Sequence, residues 1–326
     1  MALALVTGAT GFLGGHLVNE LLERGHQVRA LYRSPSTLAA IGEYDIETVR
    51  GDVLDRGSLE HAMQGVDWVF HVAASTASWK PKFAEQTAIN VGGTENVVAA
   101  ALAAGVKRLI HTSSVAVYGF TDDYISERSP HLGLQSWVNY SRTKALGEAK
   151  AREGLAKGLD VVIVNPTHIL GPGDTQSWGR LILLVDQRKL PGVPPGSGAF
   201  VDVREVAKAQ VTAAERARSG ESFLLGGEEA TFLDLVQRIG AMLGKPAPKR
   251  AVPALALRGY ARAVDAWSRI TGKEPDLTPE SVAFVCHHMR CDCRKAQTEL
   301  GLQATPLDRL LGDTIAWMRQ QRLLSQ

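Results

Sequence analysis

Residues 2–14 read ALALVTGATGFLG, an apolar run followed by three glycines, Gly8, Gly11 and Gly14. This order predicts strand Ala2–Thr7, a tight turn and helix Leu13–Arg24. Glycines in such a turn allow a sharp bend, close approach of the backbone to a pyrophosphate, and close packing of helix on strand. The start of the helix adds free N–H groups and a positive dipole end. The stretch therefore predicts a dinucleotide-phosphate site.

Short apolar runs alternate with longer helical patterns after this turn. Further strands are predicted at Gln27–Tyr32, Ile46–Arg50, Trp68–Val72, Arg108–Thr112 and Asp160–Asn165. Helices are predicted at Ser58–Met63, Ile89–Ala104 and Trp137–Gly154. Because the strands are apolar for most of their length, we expect them to be buried on both faces of a parallel sheet. We predict an α/β fold, a doubly wound parallel sheet of the Rossmann type, over residues 1–165.

The pattern loosens in the second half of the chain, where loops rich in proline and glycine appear. One strand is predicted at Ser222–Leu225, and helices are predicted at Phe232–Leu243, Ala254–Thr271, Pro279–Cys286 and Leu307–Arg322. Helix-rich sequence behind a Rossmann half indicates a smaller, mostly helical substrate domain. We place it at residues 166–326, with some of its strands returning to the main sheet.

Composition excludes several classes of partner. The 326-residue chain has a formal net charge of +2, and its basic residues are dispersed, so nothing indicates nucleic-acid binding. The three cysteines form no disulfide framework, which favours a reducing compartment. No apolar run approaches the roughly 18 residues of a membrane span, and no signal peptide is recognisable. We expect a cytoplasmic protein without a membrane partner.

Two groups of residues indicate acid–base chemistry. Tyr140-Ser-Arg-Thr-Lys144 places a phenol and an ammonium four residues apart, on one face of a predicted helix. A phenol with a pKa near 10 is a poor acid–base catalyst at neutral pH, and a nearby cation favours its ionised form. Ser113 and Ser114 follow the predicted strand Arg108–Thr112, at the sheet edge where ligands bind in open α/β folds. A hydroxyl there can hold a carbonyl oxygen beside the phenol.

The spacing G-x-x-G-x-x-G, followed by S-S-x-x-x-Y-G and Y-x-x-x-K, resembles the extended branch of the short-chain dehydrogenase/reductase superfamily, that is, the NAD-dependent epimerase/dehydratase superfamily. The resemblance covers nearly the whole chain. It implies that Ser114 (with Ser113 as the fallback) orients a carbonyl, that Tyr140 donates the proton, and that Lys144 lowers the Tyr140 pKa and holds the nicotinamide ribose. Asn90 matches the N-x-x-G-T element of the branch and is expected to support local geometry.

The same resemblance implies the residues that bind the cofactor. They are Gly8, Thr10, Gly11, Phe12, Leu13, Gly14, Arg33, Asp52, Val53, Val72, Ala73, Ala74, Tyr140, Lys144 and Pro166. NAD selection usually needs a carboxylate at the end of the second strand, where this chain has Tyr32 and Arg33. A guanidinium there can pair with a 2′-phosphate, so NADP(H) is preferred and NAD(H) is possible. The alternative is that Arg33 is a solvated surface residue.

The substrate is predicted less directly. Sugar-nucleotide members carry arginines where this chain has Asn165 and Gly198-Ala199, which favours the dihydroflavonol reductase-like carbonyl reductases. The expected reaction is therefore reduction of an aldehyde or ketone on an apolar or aromatic small molecule, or the reverse alcohol oxidation. A sugar or sugar-nucleotide epimerase or dehydratase is the alternative, and a non-catalytic NADP-sensing protein is less favoured. The candidate pocket walls are Trp79, Phe120, Trp137, Trp178 and Leu181.

Three further features have competing interpretations. The stretch Cys286–Cys293 matches no common zinc spacing, so no metal site is predicted. Helix Ala254–Thr271 mixes apolar residues with arginines, and we expect it to cover the substrate pocket; contact with a membrane surface is the alternative. Small residues in helix Ile89–Ala104 and in the helix carrying Tyr140 suit a homodimer contact, although they also suit packing within one chain.

Overall fold

A computed structural model describes residues 1–42 and 44–325, and parallel strands dominate that part of the chain. The strands are β1 (Leu3–Thr7), β2 (Gln27–Tyr32), β3 (Glu47–Arg50), β4 (Trp68–His71), β5 (Arg108–Thr112), β6 (Val161–Pro166), β7 (His168–Leu170), β8 (Ser197–Asp202), β9 (Ser222–Leu225) and β10 (Glu228–Thr231). The main sheet is fully parallel, with the order β3-β2-β1-β4-β5-β6-β9. This order confirms the predicted doubly wound fold.

Helices cover both faces of the main sheet and form most of the remaining chain. They are α1 (Phe12–Glu23), α2 (Arg56–Ala62), α3 (Phe83–Thr87), α4 (Thr94–Ala104), α5 (Asn139–Ala156), α6 (Arg180–Asp186), α7 (Val203–Arg216), α8 (Phe232–Leu243), α9 (Ala254–Thr271), α10 (Pro279–Val285), α11 (Arg294–Leu300) and α12 (Leu307–Gln320). A π-helical turn, Ala88–Gly93, joins α3 to α4. The predicted helix Ile89–Ala104 therefore corresponds to the π-helical turn and α4, and the helical segment begins earlier than predicted, at α3. Among the described residues, no helix is both long and apolar enough to cross a membrane.

Two buried clusters hold the main sheet, one on each face. One contains apolar residues of α1 and α7, and the other those of α2 and α4. Helix α7 begins after Asp202, whose side chain accepts a hydrogen bond from the Arg204 N–H, and it packs against α1. Removal of these apolar side chains from water supplies the main driving force for the layered arrangement.

The C-terminal half contributes to the main sheet and also forms a small second sheet. Strand β9 pairs in parallel with β6, so this part of the chain returns to the main sheet as expected. The second sheet has the order β10-β8-β7 and was not predicted, because β7 has three residues and β10 reads EEAT, which shows little strand character. Helices α6, α7 and α11 were also missed. The division of the chain at residue 165 stays a prediction.

The order of the strands determines where a ligand can bind. Strand β1 has β2 on one side and β4 on the other, so the chain reverses its direction of winding there. In sheets of this kind, ligands bind outside the carboxyl ends of the strands at the point of reversal. The carboxyl ends of β1, β4, β5 and β6 therefore define the candidate site.

Candidate active site

The glycine turn has the geometry that the sequence predicts. Gly8 has φ +73°, in the region that favours glycine, and a Cβ on it would lie 2.8 Å from the backbone N of Ala73. A Cβ on Gly14 would lie 2.0 Å from the Gly8 carbonyl oxygen, so α1 can pack this closely on the turn only with glycine there. Helix α1 begins at Phe12, and no side chain in the described part of the chain caps it. Its first N–H groups are consequently free to meet a phosphate.

A cavity of about 610 Å³ runs from this turn to the ends of β5 and β6. Every predicted site residue lines it: Gly8, Thr10, Gly11, Phe12, Leu13, Gly14, Arg33, Asp52, Val53, Val72, Ala73, Ala74, Ser114, Tyr140, Lys144 and Pro166. Ser113, the fallback for Ser114, lines it as well. Sequence reasoning missed further lining residues, namely Leu31, Gly51, Ser75, Thr76, Glu85, Ile89, Thr112, Thr167 and Ile169. Most of these adjoin predicted site residues at the carboxyl ends of strands, and that position was the signal by which they could have been found. Glu85 and Ile89 reach the cavity only through the packing of α3 and the π-helical turn.

Lys144 is buried, and its ammonium donates a hydrogen bond of 2.8 Å to the backbone oxygen of Thr112, the last residue of β5. Burial lowers the pKa of Lys144 to about 8, and the negative charge of Glu148 opposes this shift. The lysine therefore remains mostly protonated at neutral pH, but it titrates within the working range of an enzyme.

The Tyr140 phenol differs from the sequence-based expectation. Burial raises its pKa above the usual value of about 10, and a hydrogen bond with the Ser114 hydroxyl opposes this rise. The net lowering expected from Lys144 is not seen in this structure, in which the ammonium hydrogen-bonds to Thr112. A neutral phenol beside Ser114 is suited to donate a proton. Ser114 is also the hydroxyl that contacts the phenol, whereas the buried Ser113 hydroxyl acts on Glu148.

Glu148 is a buried acid that sequence reasoning missed. It lies one helical turn beyond Lys144, accepts a hydrogen bond of 2.9 Å from the Asn165 side chain and pairs with Arg152 at 2.8 Å. Burial acts to raise its pKa, but the nearby His131, Asn165 and Arg152 outweigh burial and keep it below the usual value. The spacing of Tyr140, Lys144 and Glu148, four residues each, was the available signal. Asn165, which stands where sugar-nucleotide members carry an arginine, also donates a hydrogen bond of 3.3 Å to the Ser114 backbone oxygen and so links Glu148 to the serine segment.

Asn90 supports the site from the π-helical turn, as expected. Its side chain donates to the Ser75 backbone oxygen at 3.0 Å and to the Thr143 hydroxyl at 3.1 Å, and it accepts from the Ser75 N–H at 2.8 Å. A Cβ on Gly147 would lie 2.4 Å from the Asn90 carbonyl oxygen, so glycine lets α5 approach the turn. Asn90 thereby joins the segment after β4 to the helix that carries Tyr140.

A second cavity, of about 510 Å³, lies on the substrate side of Tyr140. The residues that line it are Phe120, Trp137, Arg258, Arg262, Pro279, Val282, Ala283, Cys286 and His287. Aromatic rings connect it to the phenol, because the Phe284 ring lies 6.1 Å from the Tyr140 ring and 5.4 Å from the Phe120 ring. Phe120 and Trp137, two of the predicted walls, thus line this cavity, and their contact with a substrate stays a prediction.

The other predicted walls have different surroundings. The Trp79 ring nitrogen donates to the Ser268 hydroxyl of α9 at 3.4 Å. Trp178 stacks on Phe232 at 5.0 Å, and with Leu181 it packs against the apolar cluster beneath the second sheet. These three residues line neither cavity.

Gly198 occupies a position where sugar-nucleotide members resembling this chain carry an arginine. A Cβ at Gly198 would lie 2.1 Å from the His168 ring nitrogen, which itself packs against Trp178. The local packing therefore requires glycine and leaves no room for a guanidinium.

In the stretch Cys286–Cys293, burial raises the pKa of Cys293 to about 12, and the described residues include no cluster of three groups that could hold a metal.

The first cavity fits a dinucleotide on observations of this chain alone. The glycine cradle and free helix N-terminus suit a pyrophosphate, and the Arg33 guanidinium at the rim makes no ion pair with any residue in the described ranges. Thr7 holds the segment that crosses the cavity, since its hydroxyl accepts from the N–H groups of Val72 and Ala73 at 3.2 and 3.3 Å. The phenol, the ammonium and the serine lie at the far end, where a nicotinamide would be placed.

Comparisons with known proteins agree with this geometry. The family described as the NAD dependent epimerase/dehydratase family matches residues 4–226. Sterol demethylase protein B of Methylococcus capsulatus is 34% identical, over 98% of this chain and 99% of that protein. Cinnamoyl-CoA reductase 1 of Oryza sativa subsp. japonica is 31% identical, over 98% of this chain and 91% of that protein. The crystal structure of a nucleoside-diphosphate-sugar epimerase from Pseudomonas aeruginosa is 28% identical, with a TM-score of 0.82 and 99% of each chain covered.

Proposed function

Because this chain belongs to the NAD dependent epimerase/dehydratase family and is an NAD(P)-dependent enzyme acting on CH–OH or carbonyl groups, we propose that it reduces an aldehyde or ketone with NADPH. The observation that carries the proposal is one cavity lined by the glycine turn, Arg33, Ser114, Tyr140 and Lys144. The substrate is an apolar or aromatic small molecule, and the reaction is reversible.

Each residue has one task in this proposal. A bound nicotinamide cofactor supplies the hydride. The Ser114 hydroxyl orients the carbonyl oxygen, and the Tyr140 hydroxyl donates its proton to that oxygen; the raised pKa keeps the phenol protonated before the reaction. Once the phenol has lost its proton, the Lys144 ammonium can donate a hydrogen bond to the phenolate, although it does not offset the effect of burial on the resting phenol. One ammonium donor is committed to Thr112, which leaves two for the phenolate and for ribose hydroxyls.

The preference for NADPH rests on Arg33. It follows β2, is exposed, lines the cavity and has no ion-pair partner within residues 1–42 and 44–325. A planar guanidinium can hold a phosphate with two parallel hydrogen bonds. No carboxylate stands at the end of β2 to accept from a ribose 2′-hydroxyl.

The apolar substrate is supported by the aromatic residues between the two cavities. Phe284 and Phe120 lie on the substrate side of the phenol, where they exclude water and can contact a hydrophobic carbonyl compound. The names of two relatives, sterol demethylase protein B and cinnamoyl-CoA reductase 1, also favour a largely apolar substrate.

A sugar nucleotide is the second candidate substrate. Arg258 and Arg262 line the second cavity, and paired arginines can hold a diphosphate there. The similarity to a nucleoside-diphosphate-sugar epimerase favours the same alternative. In this alternative the diphosphate would lie in the second cavity, beside the two arginines, and Phe284 would stand between it and Tyr140.

The deciding experiment follows oxidation of NADPH and of NADH with a panel of aromatic aldehydes, apolar ketones and sugar nucleotides. We expect turnover with apolar carbonyl compounds and a lower KM for NADPH. Tyr140→Phe should lose about 10²- to 10⁴-fold in kcat, while Tyr124→Phe, which changes an exposed phenol, should keep full activity. Turnover restricted to sugar nucleotides would favour the second candidate, and full activity of Tyr140→Phe would overturn the proposed role of the phenol.

A further inference from the structure

Helix α9 presents an apolar face to solvent. Its large apolar side chains are among the most exposed in the described chain: Leu255 is 82%, Ile270 79%, Trp267 65% and Tyr260 61% accessible. Single exposed apolar residues are common on soluble proteins, but four on one short helix form a continuous patch. This patch is the strongest unexplained surface feature of the protein.

The helical geometry makes the patch continuous. At 3.6 residues per turn, a sector of about 140° contains only apolar residues and glycine. Its members are Leu255, Ala256, Gly259, Tyr260, Ala263, Ala266, Trp267 and Ile270, and all are exposed. We call these residues the outer face of α9. The opposite side, with the buried Ala261 and Ser268, packs on α10 and contacts Trp79.

Positive charge borders the outer face. Arg258, Arg262 and Arg269 follow one edge of the helix, and all three are exposed. Arg269 pairs with Asp265 at 2.6 Å, but Arg258 and Arg262 have no ion-pair partner in the described part of the chain. Lys249 and Arg250 precede the helix, so the N-terminal end of the outer face is also positively charged; Lys273 follows the helix beside Glu274, which pairs with Lys82.

We propose that the outer face of α9 docks on the surface of an anionic phospholipid bilayer, and that the substrate is a lipid-like carbonyl compound or alcohol dissolved in that bilayer. An apolar face edged by arginines, with tryptophan and tyrosine among its members, is the pattern of a helix that lies in the membrane interface. The arginines are attracted to anionic headgroups. The statement about the substrate rests on the proposed function, whereas the docking does not.

The second cavity lies between this surface and Phe284, whose ring contacts the Tyr140 ring. Arg258 and Arg262 border the outer face and also line the cavity, together with Phe120 and Trp137. Phe284 then separates the cavity from Tyr140, with ring contacts on both sides. On this proposal a substrate with a long apolar body enters the second cavity beside α9, and the Phe284 ring moves aside for the carbonyl to reach the phenol.

Size and charge favour a bilayer over a second copy of the chain. An 18-residue helix is about 27 Å long, so its outer face offers about 300 Å², well below the roughly 800 Å² per partner of a stable interface. An antiparallel symmetric contact of two α9 helices would also bring their unneutralised arginine edges together. The dimer expected from sequence uses α4 and α5, which is a different surface, and stays a prediction.

The test is co-sedimentation of the full chain with vesicles of phosphatidylcholine alone or with about one third phosphatidylglycerol. We expect binding to the anionic vesicles and weakening as salt rises from about 0.1 M to about 0.5 M. The variant Leu255→Ser/Trp267→Ser/Ile270→Ser should lose more than about tenfold in vesicle affinity. The matched control Leu323→Ser removes an apolar side chain that is 41% exposed elsewhere and should bind like the wild type.

Three outcomes would overturn the docking proposal: no binding to anionic vesicles, equal binding by the triple variant, or a dimer in solution that the triple variant abolishes. The reduction of a water-soluble aldehyde by NADPH, measured on the same samples, separates this proposal from the proposed function. Persisting turnover without vesicle binding contradicts the docking alone. Vesicle binding without turnover on any carbonyl compound contradicts the proposed function alone.

Discussion

The Lys144 ammonium donates a 2.8 Å hydrogen bond to the backbone carbonyl oxygen of Thr112. Since Thr112 ends β5 and Ser114 follows two residues later, this bond joins α5 to the strand end that carries the serine. It also holds a buried cation one helical turn beyond Tyr140, although burial disfavours that cation. The chemistry thus depends on how firmly the surrounding residues keep Lys144 protonated.

Glu148→Gln should move the alkaline limb of the pH profile to lower pH. The pKa of Lys144 is about 8, and the charge of Glu148 acts to raise it. Removal of that charge lowers the Lys144 pKa, so the protonated form is lost earlier as the pH rises. The measurement is kcat/KM for ketone reduction between about pH 6 and about pH 10. Glu153→Gln, an exposed acid on the same helix, is the control, and an unshifted limb in Glu148→Gln would exclude the effect.

Arg33→Ala should weaken NADPH binding and leave NADH binding nearly unchanged. The guanidinium lines the cavity without an ion-pair partner in the described ranges, so its loss should remove only the proposed contact with the 2′-phosphate. A charge-assisted contact of this kind contributes about 1.5–3 kcal/mol, which corresponds to a roughly 10- to 100-fold rise in Kd. Titration by intrinsic fluorescence measures both cofactors. Arg50→Ala changes an exposed arginine outside the cavity and is the control. If it weakened NADPH binding as much as Arg33→Ala, the overall positive charge of the surface, and not Arg33, would explain the affinity for NADPH.

Gly14→Ala should abolish cofactor binding and destabilise the fold, whereas Gly15→Ala should not. The added Cβ would lie 2.0 Å from the Gly8 oxygen in the first case and 4.0 Å from the Ala9 oxygen in the second. The first variant must displace the turn from α1, at a cost of about 1–3 kcal/mol or more. The second gains up to about 1 kcal/mol from helix propensity. Urea unfolding and NADPH titration measure both, and a stable, cofactor-binding Gly14→Ala protein would contradict the packing described here.

Glu280→Gln should change how stability depends on pH. Burial raises the pKa of Glu280 to about 7, against the hydrogen bond from the Asn139 N–H at the start of α5. Because the folded state binds the proton more tightly, this group stabilises the protein fully below about pH 4.5, and that stability is lost as the pH rises to about 7. The full effect is up to about 3 kcal/mol.

Urea unfolding at several pH values tests this expectation. Relative to the wild type, Glu280→Gln should gain stability as the pH rises from about 5 to about 8. The exposed Glu299→Gln is the matched control and should run parallel to the wild type. A constant difference between Glu280→Gln and the wild type would show that this carboxyl does not titrate in that range.

The sequence alone determined the features that depend on local order in the chain. The alternation of apolar runs and helical patterns predicted the doubly wound sheet, because buried parallel strands are apolar on both faces. The glycine spacing predicted the turn between β1 and α1, because only glycine accepts the φ of Gly8 and the approach at Gly14. Tyr140 and Lys144 were found in the same way, since their spacing places them on one helical face.

Tertiary structure decided everything that depends on what surrounds a side chain. The direction of the Tyr140 pKa shift follows from burial and from the partner that Lys144 takes, and neither is encoded in the spacing Y-x-x-x-K. Trp178 was expected in the pocket but stacks in the core, because the short strands of the second sheet carry too weak a pattern to be predicted. The exposure of α9 is also a feature that only the tertiary structure decided. Its sequence suits either a buried or a membrane-facing helix, and only packing on α10 leaves the outer face in solvent.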